Sequence, residues 1–198
     1  MSISYLFAAA LLTVLLPSAS HAETPERTGQ TTMGGKPVVL LGNAVVVGDA
    51  APDFAAVDAS WKPVRLSDLK GKVVILSSVP SLDTKVCSIQ TRRFNKEASA
   101  LGKDIQIVTL SEDLPFAQKR FCSAEKIGSM LVLSDTVERE YGLKYGLLMK
   151  GRSLLARAVI VVGKDGKVVY EEIVPDLSHE PDYDKALAAA KAAAAQRD

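Results

Sequence analysis

Residues 72–95 read KVVILSSVPSLDTKVCSIQTRRFN, and this stretch decides the fold. Its opening KVVILSS is dominated by β-branched and apolar residues without alternation, the pattern of a strand covered on both faces. Pro80 ends the ladder because it has no N–H to donate. Ser81, Asp83 and Thr84 are candidate N-caps. Val86, Ile89, Phe94, Ala98 and Leu101 then recur at spacings of one helical face. This places Cys87 in or near a first helical turn, where free N–H groups and the helix dipole favour negative charge.

Outward from this unit, strands and helices alternate. "PVVLLGNAVVVG" predicts an N-terminal β-hairpin about Gly42-Asn43, after a polar leader over 23–36. "DAAPDFAAVDASWKPVRLSDLKG" mixes turns with a short strand. "IQIVTLS" at 105–111 is a strand, and "DLPFAQKRFCSAEK" a helix with Asp113 as cap and Pro115 in its first turn. "MLVLSD" is a strand and "TVEREYGLKYG" a short helix. "ARAVIVVGKDGKVVYEEIV" is a hairpin about Asp165-Gly166, and "DYDKALAAAKAAAAQRD" a helix of high propensity. No internal repeat appears. The order suits an α/β domain of thioredoxin-like fold, a mixed central sheet flanked by helices, over 37–198.

Composition narrows the function. The 198 residues carry 24 Lys plus Arg against 23 Asp plus Glu, a net charge of +1, so neither a nucleic-acid footprint nor a polybasic membrane patch is present. The apolar run at 5–16 is too short to span a bilayer, which needs roughly 20 residues. With "PSASHA" after it, the run predicts a signal peptide over 1–22, cut before Glu23, and a periplasmic address without a stable membrane anchor. Removal of that segment leaves His179 as the only histidine. Two cysteines and one histidine do not make a four-ligand zinc site, and a Cys–His hydrolase would rest on His179 alone. Catalysis would rest on cysteine without a histidine base, with no cofactor and no metal.

Two readings of Cys87 and Cys122 are open on spacing alone: a permanent bridge in an exported, non-enzymatic domain, and a reactive pair. Context favours the second. Cys87 has a helix N-terminus, the cations Lys85, Arg92 and Arg93, and the hydroxyls of Ser81 and Thr84, the surroundings that make cysteines reactive. For Arg92 and Arg93 a solvated helix face is the plainer account of at least one. The absence of CxxC excludes an ordinary dithiol reductase. A distant pair suits oxidation to a sulfenic acid and then condensation with a second thiol.

"PSLDTKVC" resembles the active-site segment of peroxiredoxins. "SLDTKVCSIQTRRFN", "DLPFAQKRFCSAE", "LLARAVIVV" and "EPDYDKAL" resemble bacterial thiol peroxidases, the atypical two-cysteine class, over about 34–190. The resemblance implies that Cys87 is the peroxidatic cysteine and Cys122 the resolving cysteine of the same subunit. It implies that Thr84 hydrogen-bonds at the peroxide site, that Pro80 shields it, and that Arg157 supplies a guanidinium. It further implies a hydroperoxide substrate, a thioredoxin-like thiol reductant and a homodimer; most such proteins are cytosolic. Arg157 also stands out physically, since a lone charge opening an apolar strand is costly to bury without an anion; an exposed strand end is the alternative. Leu147, Leu148, Met149, Leu154 and Leu155 could line an apolar entrance, or pack into the core or a dimer interface, and packing is the general rule.

Overall fold

The computed structural model describes residues 23–196. A seven-stranded sheet runs in the order β10-β9-β5-β6-β7-β3-β4. At its centre β5 (Val73–Ser78), β6 (Ile105–Ser111) and β7 (Leu131–Ser134) are parallel. On one side β9 (Ala158–Val162) lies antiparallel to β5, and β10 (Val168–Ile173) pairs with β9 through the hairpin expected at Asp165-Gly166. On the other, β3 (Ala55–Val57) pairs antiparallel with β7 and with β4 (Pro63–Arg65), so the stretch read as one short strand holds two. This is the mixed sheet of a thioredoxin-like fold.

Every residue of β5 and β9 is buried, because both faces of the sheet are covered. Alternate residues serve alternate cores. Val73, Ile75, Ile107, Val159 and Val161 pack against Phe94 of α1 (Lys85–Ala98) and against Ala186, Leu187, Ala190 and Ala193 of α4 (Tyr183–Ala195). Small alanines let α4 lie close to the strands. Val74, Leu76, Val108, Leu110 and Ile160 face the other way, onto Val38, Leu40, Tyr141 and Tyr145. Leu147, Leu148, Met149 and Leu155 join this second core, so the apolar loop packs inward, with Leu148–Met149 forming β8 against Leu40 and Leu41.

The N-terminal hairpin forms one strand earlier than expected. Residues 26–33, read as part of a flexible leader, are β1 (Glu26–Met33), paired antiparallel with β2 (Lys36–Leu41). Gly34 and Gly35 turn the chain with φ of +57° and +75°, a conformation cheap only for glycine. Gly42 makes no hairpin. Its φ is +105°, and a Cβ there would meet the Leu143 carbonyl oxygen of α3 (Glu140–Lys144). The proposed signal segment, 1–22, lies outside the described residues. Among those described, no helix is long and apolar enough to cross a membrane.

Candidate active site

The buried strand β5 ends at Ser78, and Val79 and Pro80 remain fully enclosed as the chain leaves the sheet. A bend at 81–84 leads into α1, whose third residue is Cys87, 0% exposed. Thr84 holds the N-cap position with extended backbone, yet its hydroxyl caps nothing: it donates to the Ser81 carbonyl at 3.1 Å. Thr84 is exposed, and among the described residues no hydrogen bond links it to Cys87.

The bend is held from the next connection. Asp113, expected to cap α2 (Pro115–Ala124), does not: Leu114 occupies the N-cap, without a side-chain bond. The Asp113 carboxylate instead accepts from Ser81 Oγ at 2.7 Å, Leu82 N at 2.8 Å and Ser111 Oγ at 2.8 Å. It fastens the approach to Cys87 onto the end of β6.

Arg157, just before β9, is 2% exposed, which decides against an exposed strand end. Its Nη2 lies 3.3 Å from Cys87 Sγ, in hydrogen-bond contact. Nη1 donates to Gln90 Oε1 at 2.6 Å, and Nε and Nη2 donate to the Leu177 carbonyl at 3.1 and 3.0 Å. Gln90 in turn donates from Nε2 to Ser77 Oγ at 2.8 Å. Among the described residues no carboxylate stands within ion-pair distance of this guanidinium. Among the described residues the sulfur is therefore the one hydrogen-bond partner of Arg157 able to carry the opposite charge.

The nearer cations of the sequence do not serve the thiol. Arg92 reaches Glu125 at 3.0 Å, and Arg93 reaches Glu97 at 2.9 Å and lies over the Tyr183 ring; both are solvated, as is Lys85. Charge reaches Cys87 instead from Arg157, 70 positions along the chain. Gln90 went unnoticed in the sequence, although it lies three residues after Cys87, on the same helical face. The face that α1 buries is Cys87, Gln90, Thr91 and Phe94, not the one containing Val86 and Ile89, which stay half-buried.

Cys122 lies near the C-terminal end of α2, partly exposed, and burial pushes its thiol pKa up. Its neighbour Phe121 packs against the Val79, Leu82 and Cys87 cluster. The two cysteines are unbridged. His179 is exposed in the connection between β10 and α4.

The redoxin family model matches residues 46–187. The chain is 48% identical to a thiol peroxidase of Bacillus subtilis over 82% of its own length and 97% of that protein's. It is equally similar, 48%, to a thiol peroxidase of Listeria innocua, over 83% of this chain and 99% of the other. A peroxiredoxin-like protein from Aquifex aeolicus superposes with a TM-score of 0.78 at 36% identity, covering 83% of this chain and 98% of that one. These comparisons correct the expected address. The relatives are thiol peroxidases of Gram-positive bacteria, and nothing in them carries a signal peptide or a periplasmic location over to this chain. The non-enzymatic domain is set aside with it, since the relatives are enzymes.

Proposed function

The chain belongs to the redoxin family and is a thiol-dependent peroxidase within it, and from that premise we propose that Cys87 is the residue that attacks the peroxide. One observation carries the assignment: a buried guanidinium, with no carboxylate of the described residues beside it, in contact with a buried sulfur at 3.3 Å. A buried charge without a counter-charge is costly, and a Cys87 thiolate offsets that of Arg157.

The step is a displacement. The thiolate sulfur forms a bond to one peroxide oxygen as the O–O bond breaks. The leaving oxygen departs as alkoxide, or hydroxide from hydrogen peroxide, and takes a proton to become the alcohol or water. Sulfur is oxidised to the sulfenic acid, and the peroxide is reduced. Arg157 is placed to hold the attacking sulfur and to meet charge moving onto the peroxide oxygens, where fixed donors act without reorganising. In this reading Pro80, buried just after β5, shields the sulfur, and Thr84 donates to the substrate if its hydroxyl turns away from the Ser81 carbonyl.

Cys122 resolves the intermediate in the same subunit: its sulfur bonds to Cys87 Sγ, and the sulfenic oxygen leaves as water. Two electrons and two protons from a dithiol then restore both thiols. A thioredoxin-like donor, hydrogen peroxide and organic hydroperoxides as substrates, and a homodimeric assembly belong to this same proposal, supported by the family. Peroxide consumption by the reduced protein with a generic dithiol tests the core of it. Cys87→Ser is expected to abolish turnover, because a serine hydroxyl is scarcely ionised and a weaker nucleophile. Turnover near wild type in that variant refutes the assignment.

A further inference from the structure

The Arg157 guanidinium is held from behind as firmly as from the front. Two of its donors converge on a single acceptor, the Leu177 carbonyl. Leu177 lies in the irregular connection between β10 and α4, so something other than a strand or helix ladder must fix that oxygen in place.

The N-terminal hairpin supplies the fixing. Thr32 N donates to the Pro175 carbonyl at 2.9 Å, and Leu177 N donates to the Thr32 carbonyl at 2.8 Å. Asp176, between these two bonds, accepts four more. Thr32 Oγ1 and Gly35 N each reach Oδ2 at 2.9 Å. Gly34 N reaches Oδ1 at 3.3 Å, and Ser178 N reaches it at 2.8 Å. The positive φ of Gly34 and Gly35 turns successive N–H groups toward one carboxylate, the geometry of a backbone nest. These donors hold the Asp176 carboxyl well below its ordinary range. Among the described residues no cation pairs with it, so its partners are backbone N–H groups and hydroxyls.

We propose that Asp176 is a positioning residue for peroxide reduction: by locking residues 175–178 to the β1–β2 turn, it aims the Leu177 carbonyl, and through it the Arg157 guanidinium, at Cys87. The proposal rests on the reading of Arg157 given above. The chain of bonds is continuous from Asp176 through the Leu177 peptide to Arg157 and the sulfur. A guanidinium whose rear acceptor drifts by about 1 Å loses its alignment with the reacting atoms, and such misplacement can cost about a hundredfold in rate. The rival account is that the Leu177 side chain, buried in the core, fixes its own carbonyl unaided.

The test uses the full chain in its reduced form, hydrogen peroxide as the probe, and three readouts: the rate of the first oxidation, the thiolate ultraviolet absorbance at neutral pH, and the melting temperature. Asp176→Asn turns an amide NH₂ toward N–H donors while leaving the Leu177 side chain in place. The expected result is a rate lower by about ten- to a hundredfold, with a smaller thiolate signal. Thr32→Val removes one hydroxyl donor only, and should move both readouts in the same direction by less. Asp182→Asn is the control. Asp182 caps α4 in the same connection, accepting from Lys185 N at 3.0 Å and pairing with Lys185 Nζ at 2.8 Å; asparagine keeps the cap and removes only the charge, and should leave rate and thiolate signal intact. Wild-type rate and thiolate signal in Asp176→Asn overturn the proposal, and so does a rate loss that Asp182→Asn shares. If Asp176→Asn does not fold, Thr32→Val decides: unchanged rate and thiolate signal there overturn it. Arg157→Gln separates the two levels. A wild-type rate in that variant removes the reading of Arg157 and the relay with it, whereas a slow Arg157→Gln beside a fast Asp176→Asn removes the relay alone.

Discussion

Gln90 spends both ends of its amide on the site, one accepting from Arg157 and one donating to Ser77. A neutral amide suits that place. It satisfies a guanidinium donor without offering a charge that competes with the sulfur for Arg157. Gln90→Leu keeps the volume and removes both bonds. It leaves a buried charged donor and a buried hydroxyl each short of a partner, which costs about 1–3 kcal/mol for each group left unsatisfied. We expect a lower denaturant midpoint, and a peroxide rate reduced by about tenfold as Arg157 loses its alignment. Stopped-flow oxidation of the reduced variant checks the second effect, and a wild-type rate would show that Leu177 alone suffices to orient the guanidinium. Arg157 could be singled out in the sequence because a lone charge opens an otherwise apolar run there. Gln90 could not, because a glutamine on a helix carries no such contrast. Only its spacing from Cys87 marks it.

The two cysteines sit where their helices end, Cys87 in the first turn of α1 and Cys122 in the last turn of α2. Fraying an end costs little compared with breaking a helix in its middle. The ties between these helices are also light. The Arg92–Glu125 pair is half exposed and contributes at most about 1 kcal/mol. Asn95 Oδ1 accepts from Gly128 N and Ser129 N, holding the chain beyond α2. A disulfide needs Cα atoms within about 7 Å, so the helix ends must adjust wherever they stand farther apart. Hydrogen exchange over 85–90 and 118–124 should therefore rise when Cys87 and Cys122 are oxidised; unchanged protection would mean that no rearrangement accompanies the bond. Cys122→Ser should react with peroxide once and then gain further oxygen atoms at Cys87, visible by mass spectrometry. A variant that turns over normally would exclude Cys122 as resolver. The sequence located both helices, because strand-turn-helix units carry strong periodicity. It misplaced the first hairpin and the cap of α2 for a shared reason: Gly42-Asn43 and Asp113 look like local signals, but a contact with α3 uses the first and the Cys87 bend uses the second.

Across the sheet, the chain leaves β5, β6 and β7 at one edge, and Pro80, Asp113 and Asp135 all follow these strand ends. This is where an open α/β sheet places its chemistry. It also gathers carboxyl groups the peroxide chemistry does not use. Glu112 has a side chain only 3% exposed, with Arg139 Nε at 3.5 Å. Among the described residues neither of its oxygens has a hydrogen-bond partner. Asp135 beside it accepts from Tyr141 N at 3.0 Å and Gly142 N at 2.7 Å, the bonding of a carboxylate. Burial pushes Glu112 up to about 7, with the Asp135 charge adding to the shift, and burial also raises Asp135. The folded state thus holds a proton that the unfolded chain gives up near 4.5. Folding is favoured by this pair while it is protonated, in full below the unfolded value, and the gain is lost as pH rises through about 7. Stability should then fall between pH 5 and pH 8 by on the order of 2 kcal/mol from these groups. Glu112→Gln keeps the shape without the ionisation and should flatten the dependence, leaving the variant more stable than wild type at pH 8. Denaturant midpoints of both proteins across that range decide it, and parallel curves would show that solvent reaches the Glu112 carboxylate in the folded protein.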